Sequence, residues 1–115
     1  MNGEKGELAK YFHWRVNIRK CRDFEWKFDR LKEAFYWEFV EKKRRTFLQL
    51  ELERIAQKAI GPLPREMLYA FLYHLDLDGY LENKTIKGII YYIVTDKLLE
   101  EVDDKYHKLK EVKND

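Results

Sequence analysis

Asn83-Lys84-Thr85-Ile86-Lys87-Gly88-Ile89-Ile90-Tyr91-Tyr92-Ile93-Val94-Thr95-Asp96-Lys97-Leu98 is the most strongly patterned stretch of the chain. Ile86, Ile89, Ile90, Ile93, Val94 and Leu98 recur at i, i+3, i+4, i+7, i+8 and i+12, the apolar stripe of an amphipathic helix. Asn83 is a suitable N-cap, so the spacing predicts a helix over 83–98. Its outward face carries Lys84, Thr85, Lys87, Gly88, Tyr91, Tyr92 and Thr95. Glycine costs about 1 kcal/mol inside a helix, and Gly88 on that face serves either the close approach of another backbone or packing against the N-terminal helices.

Outward from this stretch the helical pattern continues in both directions. Met67, Leu68, Phe71, Leu72 and Leu75 predict a helix over 64–75, closed by the turn residues Asp76 to Gly79. Thr46-Phe47-Leu48-Gln49 reads as a capping box opening a helix over 46–60, which Gly61-Pro62 stops. Farther upstream, Phe24, Phe28, Leu31, Phe35 and Phe39 make a stripe that predicts a helix over 23–43. No glycine or proline lies between Gly6 and Gly61. A single helix of that length would extend about 80 Å, beyond a small domain, so caps must break it. Phe12, Trp14, Val16 and Ile18 alternate as in a strand, while Leu8, Phe12 and Val16 fit a helix, which is the reading adopted. The tail 99–112 can be written as a hairpin turning at Asp103-Asp104-Lys105 or as a helix through Leu99, Val102, Tyr106 and Leu109; its composition favours the helix.

Composition sets the outer limits. At 115 residues the chain suits one domain, and 45% apolar with 16% aromatic residues is enough to build a core. Charged residues reach 38%, and amides and sulfur residues are few, a composition found in thermophiles. There is no serine, which excludes serine-nucleophile hydrolases, and Cys21 alone cannot form an intramolecular disulfide. Neither a signal peptide nor a spanning helix is legible, so the expectation is a cytoplasmic protein without a membrane partner.

The helices at 46–60, 64–75 and 83–98, followed by Leu98-Leu99-Glu100-Glu101-Val102-Asp103-Asp104-Lys105-Tyr106-His107-Lys108-Leu109, resemble the winged-helix branch of the helix-turn-helix superfamily. The resemblance covers about the last seventy residues. It implies a mainly α protein with N-terminal helices and a winged-helix-like C-terminal half, and a third helix that enters the DNA major groove. On that implication Lys84, Thr85, Lys87 and Tyr91 face base edges and phosphates.

Charge is divided along the chain. Residues 1–45 hold 13 Lys+Arg against 8 Asp+Glu (+5), and residues 46–115 hold 10 against 13 (−3). Phosphate neutralisation needs local cations, so the candidates upstream are Arg15, Arg19, Lys20 and Arg22, interleaved with Tyr11, His13, Trp14 and Trp26, and the run Lys42-Lys43-Arg44-Arg45. The chain is then one domain, with a basic aromatic helical extension at 1–45 and the winged-helix-like unit at 46–115. Exposed rings beside cations suit nucleic acid; the same residues also read as core rings and a solvated cationic face. Phe24, Phe28, Phe35, Tyr36, Trp37 and Phe39 exceed what one helix needs, which points to a homodimer, the competing reading being that the same face covers the three-helix unit and closes one larger core. His13, Cys21, His74 and His107 lack zinc spacing, and the calcium-loop likeness of His74–Leu81 fails at both ends, where His74 and Thr85 replace carboxylates. A non-enzymatic, DNA-binding protein without a cofactor is therefore expected. The alternative is an assembly subunit that docks on a protein partner.

Overall fold

The computed structural model describes residues 3–113. Helix α1 (Gly3–Asn17) passes through a 3-10 turn at Ile18–Lys20 into α2 (Phe24–Lys42). Strand β1 (Thr46–Leu48) leads into α3 (Gln49–Ile60), then α4 (Arg65–Leu77), β2 (Leu81–Ile86) and β3 (Ile89–Val94); α5 (Asp96–Tyr106) and α6 (Leu109–Lys113) close the order. The strands form one antiparallel sheet in the order β1-β3-β2. The chain is thus mainly helical with a small sheet.

The helix expected over 83–98 does not form. That stretch is a hairpin, with Ile86 opposite Ile89 and Lys84 opposite Tyr91. Lys87 and Gly88 make its two-residue loop, both at positive φ (52° and 80°), the type I′ geometry whose twist matches paired strands. The flanking residues are mostly β-branched or aromatic and suit a pleated surface better than a helix, where χ1 freedom is lost. Gly88 is therefore a turn residue with no atom within 4 Å of an added Cβ, and it approaches no other backbone. Asn83 caps nothing: it lies in β2 and its amide donates to the Asp76 carboxylate at 2.8 Å. Leu98 belongs to α5, whose N-cap is Thr95.

Two other boundaries shift for local reasons. Thr46 opens β1 rather than a helix, and Phe47 lies opposite Tyr92 of β3. The cap of α3 comes from Glu51, whose carboxylate accepts from the Leu48 amide at 3.0 Å. The tail is helical, with no hairpin at Asp103–Lys105, and is broken where His107 takes φ 57°. One oxygen of Asp103 holds that break together, accepting from the Tyr36 hydroxyl at 2.6 Å and from the amides of Lys108 and Leu109 at 2.7 and 2.9 Å.

The core runs across the expected 45/46 boundary. Phe24, Phe28, Leu31, Phe35 and Tyr36 of α2 join Phe47, Leu52, Ala56, Phe71, Val94 and Leu98 in one cluster. Phe24 stacks on Phe28 at 4.8 Å and on Phe71 at 5.4 Å, and Trp37 meets Tyr106 edge-on at 5.0 Å. The surplus of rings that pointed to a dimer interface is absorbed inside the chain.

Helix α1 lies along α4. The core side of α4 is Leu68, Phe71, Leu72 and Leu75; at 100° per residue, Ala70 stands close to the opposite side, yet it is fully buried. The small Ala70 side chain lets α1 approach. Tyr11 meets Tyr69 edge-on at 6.4 Å, and the Arg15 guanidinium sits 4.3 Å over Tyr73. Buried His74 fastens the pair: its Nδ1 accepts from Arg19 Nε at 3.0 Å, which leaves Nε2 to donate to the Arg15 carbonyl at 2.6 Å.

Candidate binding surface

The hairpin projects from the helical body because only its base is anchored. Leu81 and Val94 are buried and Asn83 is tied to α4, whereas residues 82–90 are exposed. Period-two alternation sorts the side chains. Leu81, Asn83, Thr85, Ile90, Tyr92 and Val94 share the face turned to the helices at the base. Glu82, Lys84, Ile86, Ile89, Tyr91 and Ile93 share the outer face, and the register adds Leu48 of β1 beside Tyr91. Ile86, Ile89 and Ile90 remain 47–49% exposed, with Leu48 at 41% and Leu50 at 61%. An apolar tip and outer sheet face are thus offered to solvent, rimmed by Lys84, Lys87 and Glu82.

The expected nucleic-acid residues do not gather on one surface. Arg15 faces Tyr73 and Phe12 between α1 and α4. Arg19 binds Asp78 at 2.6 Å as well as His74. Lys42 pairs with Glu38 at 2.9 Å, Arg44 with Glu51, and Arg45 with Asp96 at 2.9 Å. Lys43 ends α2 in the left-handed conformation. Lys20 and Arg22 are exposed, and among the described residues neither has an ion pair. Lys84, Thr85, Lys87 and Tyr91 all lie on the hairpin and not on a groove-entering helix: Lys84 and Tyr91 are opposite each other on the outer face, Lys87 is in the loop, and Thr85 is on the other face. Most of the arginines therefore staple elements to one another.

The carboxylates that receive these cations are tuned accordingly. Burial tends to raise Glu101, but Lys32 at 2.7 Å and the Tyr80 hydroxyl at 2.7 Å outweigh it and hold the carboxyl below its ordinary value. The Leu48 amide and then Arg44 lower Glu51. Burial likewise tends to raise Asp103, but the hydrogen bonds from Tyr36, Leu109 and Lys108 outweigh it and hold the carboxyl below its ordinary value; Tyr36 itself is pushed up to about 12 by burial and by its bond to Asp103. These groups brace the body and lie off the hairpin.

One cleft faces the base of the hairpin, lined by Tyr11, Gln49, Tyr69, Tyr73, Asp76 and Tyr92. Two of its rings already carry a guanidinium, Arg15 over Tyr73 and Arg65 over Tyr69 at 5.3 Å. Among the described residues no group of three or more His, Cys, Asp or Glu is arranged to hold a metal ion, and no helix is long and apolar enough to cross a membrane. Sequence reasoning missed Ile86, Ile89 and Ile90 as surface residues; the signal that could have found them is Lys87-Gly88 between two β-branched runs. No family model matches the chain, and comparison with curated proteins and with solved structures likewise gives no match.

Proposed function

We propose that the chain is a non-enzymatic interaction module on a winged-helix scaffold, and that its hairpin docks on a protein partner. The order α2–β1–α3–α4–β2–β3 with sheet order β1-β3-β2 supports the scaffold. In this alignment α4, not 83–98, takes the place of the third helix, and β2–β3, not 99–109, is the wing. The observation that carries the reading is the burial of Ala70 beneath α1. A helix that reads base edges must present its outer side, and here that side of α4 is closed at its middle, at Ala70, with only its last residue Leu77 exposed, while the hairpin stays open. Exposed apolar clusters rimmed by polar residues are the usual mark of a protein interface.

The test places a photo-crosslinking amino acid at position 89 in the native cell. A covalent protein adduct is the expected result; an adduct with nucleic acid alone, or none, overturns the reading. Nucleic-acid binding remains the second reading on one observation, the exposed cations Lys20, Arg22, Lys84 and Lys87, which have no ion pair among the described residues. In that case a salt-titrated assay with mixed DNA and RNA oligonucleotides gives affinity falling steeply with salt, and Lys84→Glu or Lys87→Glu weakens all sequences alike.

A further inference from the structure

The hairpin has one unpaired edge, and its chemistry selects an occupant. A two-residue type I′ loop closes on a hydrogen-bonded pair, here Ile86 with Ile89, and such pairs alternate along an antiparallel ladder. Two observed bonds fix the alternation independently. The Val94 amide donates to Arg45 on the β1 side at 2.8 Å, and the Thr95 amide donates to the Tyr80 carbonyl on the β2 side at 3.1 Å. Lys84 and Glu82 therefore turn their main-chain groups inward to β3. Leu81, Asn83 and Thr85 turn theirs to the open edge, which no strand among the described residues occupies.

We propose that β2 pairs with β2 of a second copy, antiparallel about a two-fold axis through Asn83, so that two three-stranded sheets become one. This rests on the reading of the hairpin as the binding element and names its partner. Only registers that oppose outward-facing residues can form the ladder, and charge decides among them. With Asn83 opposite Asn83 of the second copy, Thr85 lies opposite Leu81, and Glu82 lies opposite Lys84 twice, once on each side of the axis. Those two pairs are non-hydrogen-bonded positions, where Cα atoms approach to about 4.5 Å and side chains are closest. A shift of two residues one way opposes Lys84 to Lys84; the same shift the other way opposes Glu82 to Glu82. The sequence Glu82-Asn83-Lys84 is thus self-complementary in one register and self-repelling in both neighbours. Asn83 keeps its side chain on Asp76 beneath the sheet, leaving Glu82 and Lys84 on the outer face to meet their counterparts. Addition of a strand to an exposed edge is a common mode of docking.

Sedimentation or light scattering over a concentration series tests the proposal on the full chain. The wild type is expected to shift from 14.2 kDa towards twice that mass as concentration rises. Lys84→Glu and Glu82→Lys singly each place like charges across the axis and are expected to raise the dissociation constant about tenfold or more. The double variant E82K/K84E restores opposite charges and is expected to dimerise as the wild type does. A wild type that stays at 14.2 kDa at the highest soluble concentration, or a double variant no better than the singles, overturns the proposal. Circular dichroism on each variant separates lost pairing from lost folding; if the singles unfold, the mass of the folded double variant alone decides, with a monomer overturning. Failure here together with a crosslink from position 89 to a different protein removes self-pairing and leaves the docking role intact, whereas absence of both removes both.

Discussion

Asp103 shows how much a single side chain can organise. One of its oxygens gathers the Tyr36 hydroxyl from α2 and the two amides that open α6. Removing it leaves the Tyr36 hydroxyl and the Leu109 amide without their acceptor and the Lys108 amide with the Tyr36 oxygen alone at 3.2 Å, and buried or half-buried donors left unmet cost about 1–3 kcal/mol. Asp103→Ala is expected to lower the urea-unfolding free energy by about that amount. Hydrogen exchange at Lys108 and Leu109 should accelerate more than in α3. Ala70 is the second such position. Ala70→Leu puts an isobutyl group where α1 now lies, and overpacking of this kind costs about 1–3 kcal/mol. The expected outcome is faster exchange along α1 with α2 and α3 unchanged; equal acceleration everywhere contradicts the placement of α1 on α4.

At the scale of the element, the hairpin loop is a sequence compromise. Both of its residues have positive φ, but only Gly88 is indifferent to that, and Lys87 is held at φ 52° against its preference. Asparagine is favoured at this position of a type I′ turn, so Lys87→Asn is expected to raise the melting temperature by a few degrees, read by scanning calorimetry. Gly88→Ala, strained by φ 80°, should lower it. The same loop explains what the sequence could and could not disclose. Stripes such as Met67-Leu68-Phe71-Leu72-Leu75 and Phe24-Phe28-Leu31-Phe35 were legible as helices because one face of each is buried and aromatic or leucine-rich. The run from Ile86 to Val94 satisfied helical spacing equally well, but its β-branched content and the Lys87-Gly88 step belong to paired strands. Periodicity cannot weigh those two signals. Long-range arginine contacts, such as Arg19 with Asp78 or Arg45 with Asp96, had no sequence signal at all, since fifty residues or so separate the partners. For that reason the expected cationic surface dissolved into separate pairs.

At the scale of the whole molecule, stability is expected to depend on pH at both ends. Glu51, Glu101 and Asp103 titrate below their ordinary values in the folded chain. Their stabilisation is complete above the unfolded carboxylate values near pH 4 and is lost as pH falls through the lower folded values. Tyr36, raised to about 12, works in the opposite sense: its contribution is present below about pH 10 and disappears as pH climbs towards 12. Thermal melts should therefore show a plateau between these limits; a maximum confined to a narrow band near neutrality contradicts it. The placement of the rings has a practical result. All three tryptophans, Trp14, Trp26 and Trp37, precede residue 38 and ride on α1 and α2, while the strands hold none. Intrinsic emission excited at the indole band thus follows the seating of the first two helices and stays silent when the strands fray, so an unfolding curve recorded this way reports one half of the architecture, and a tyrosine or isotope-edited signal is required to see the other.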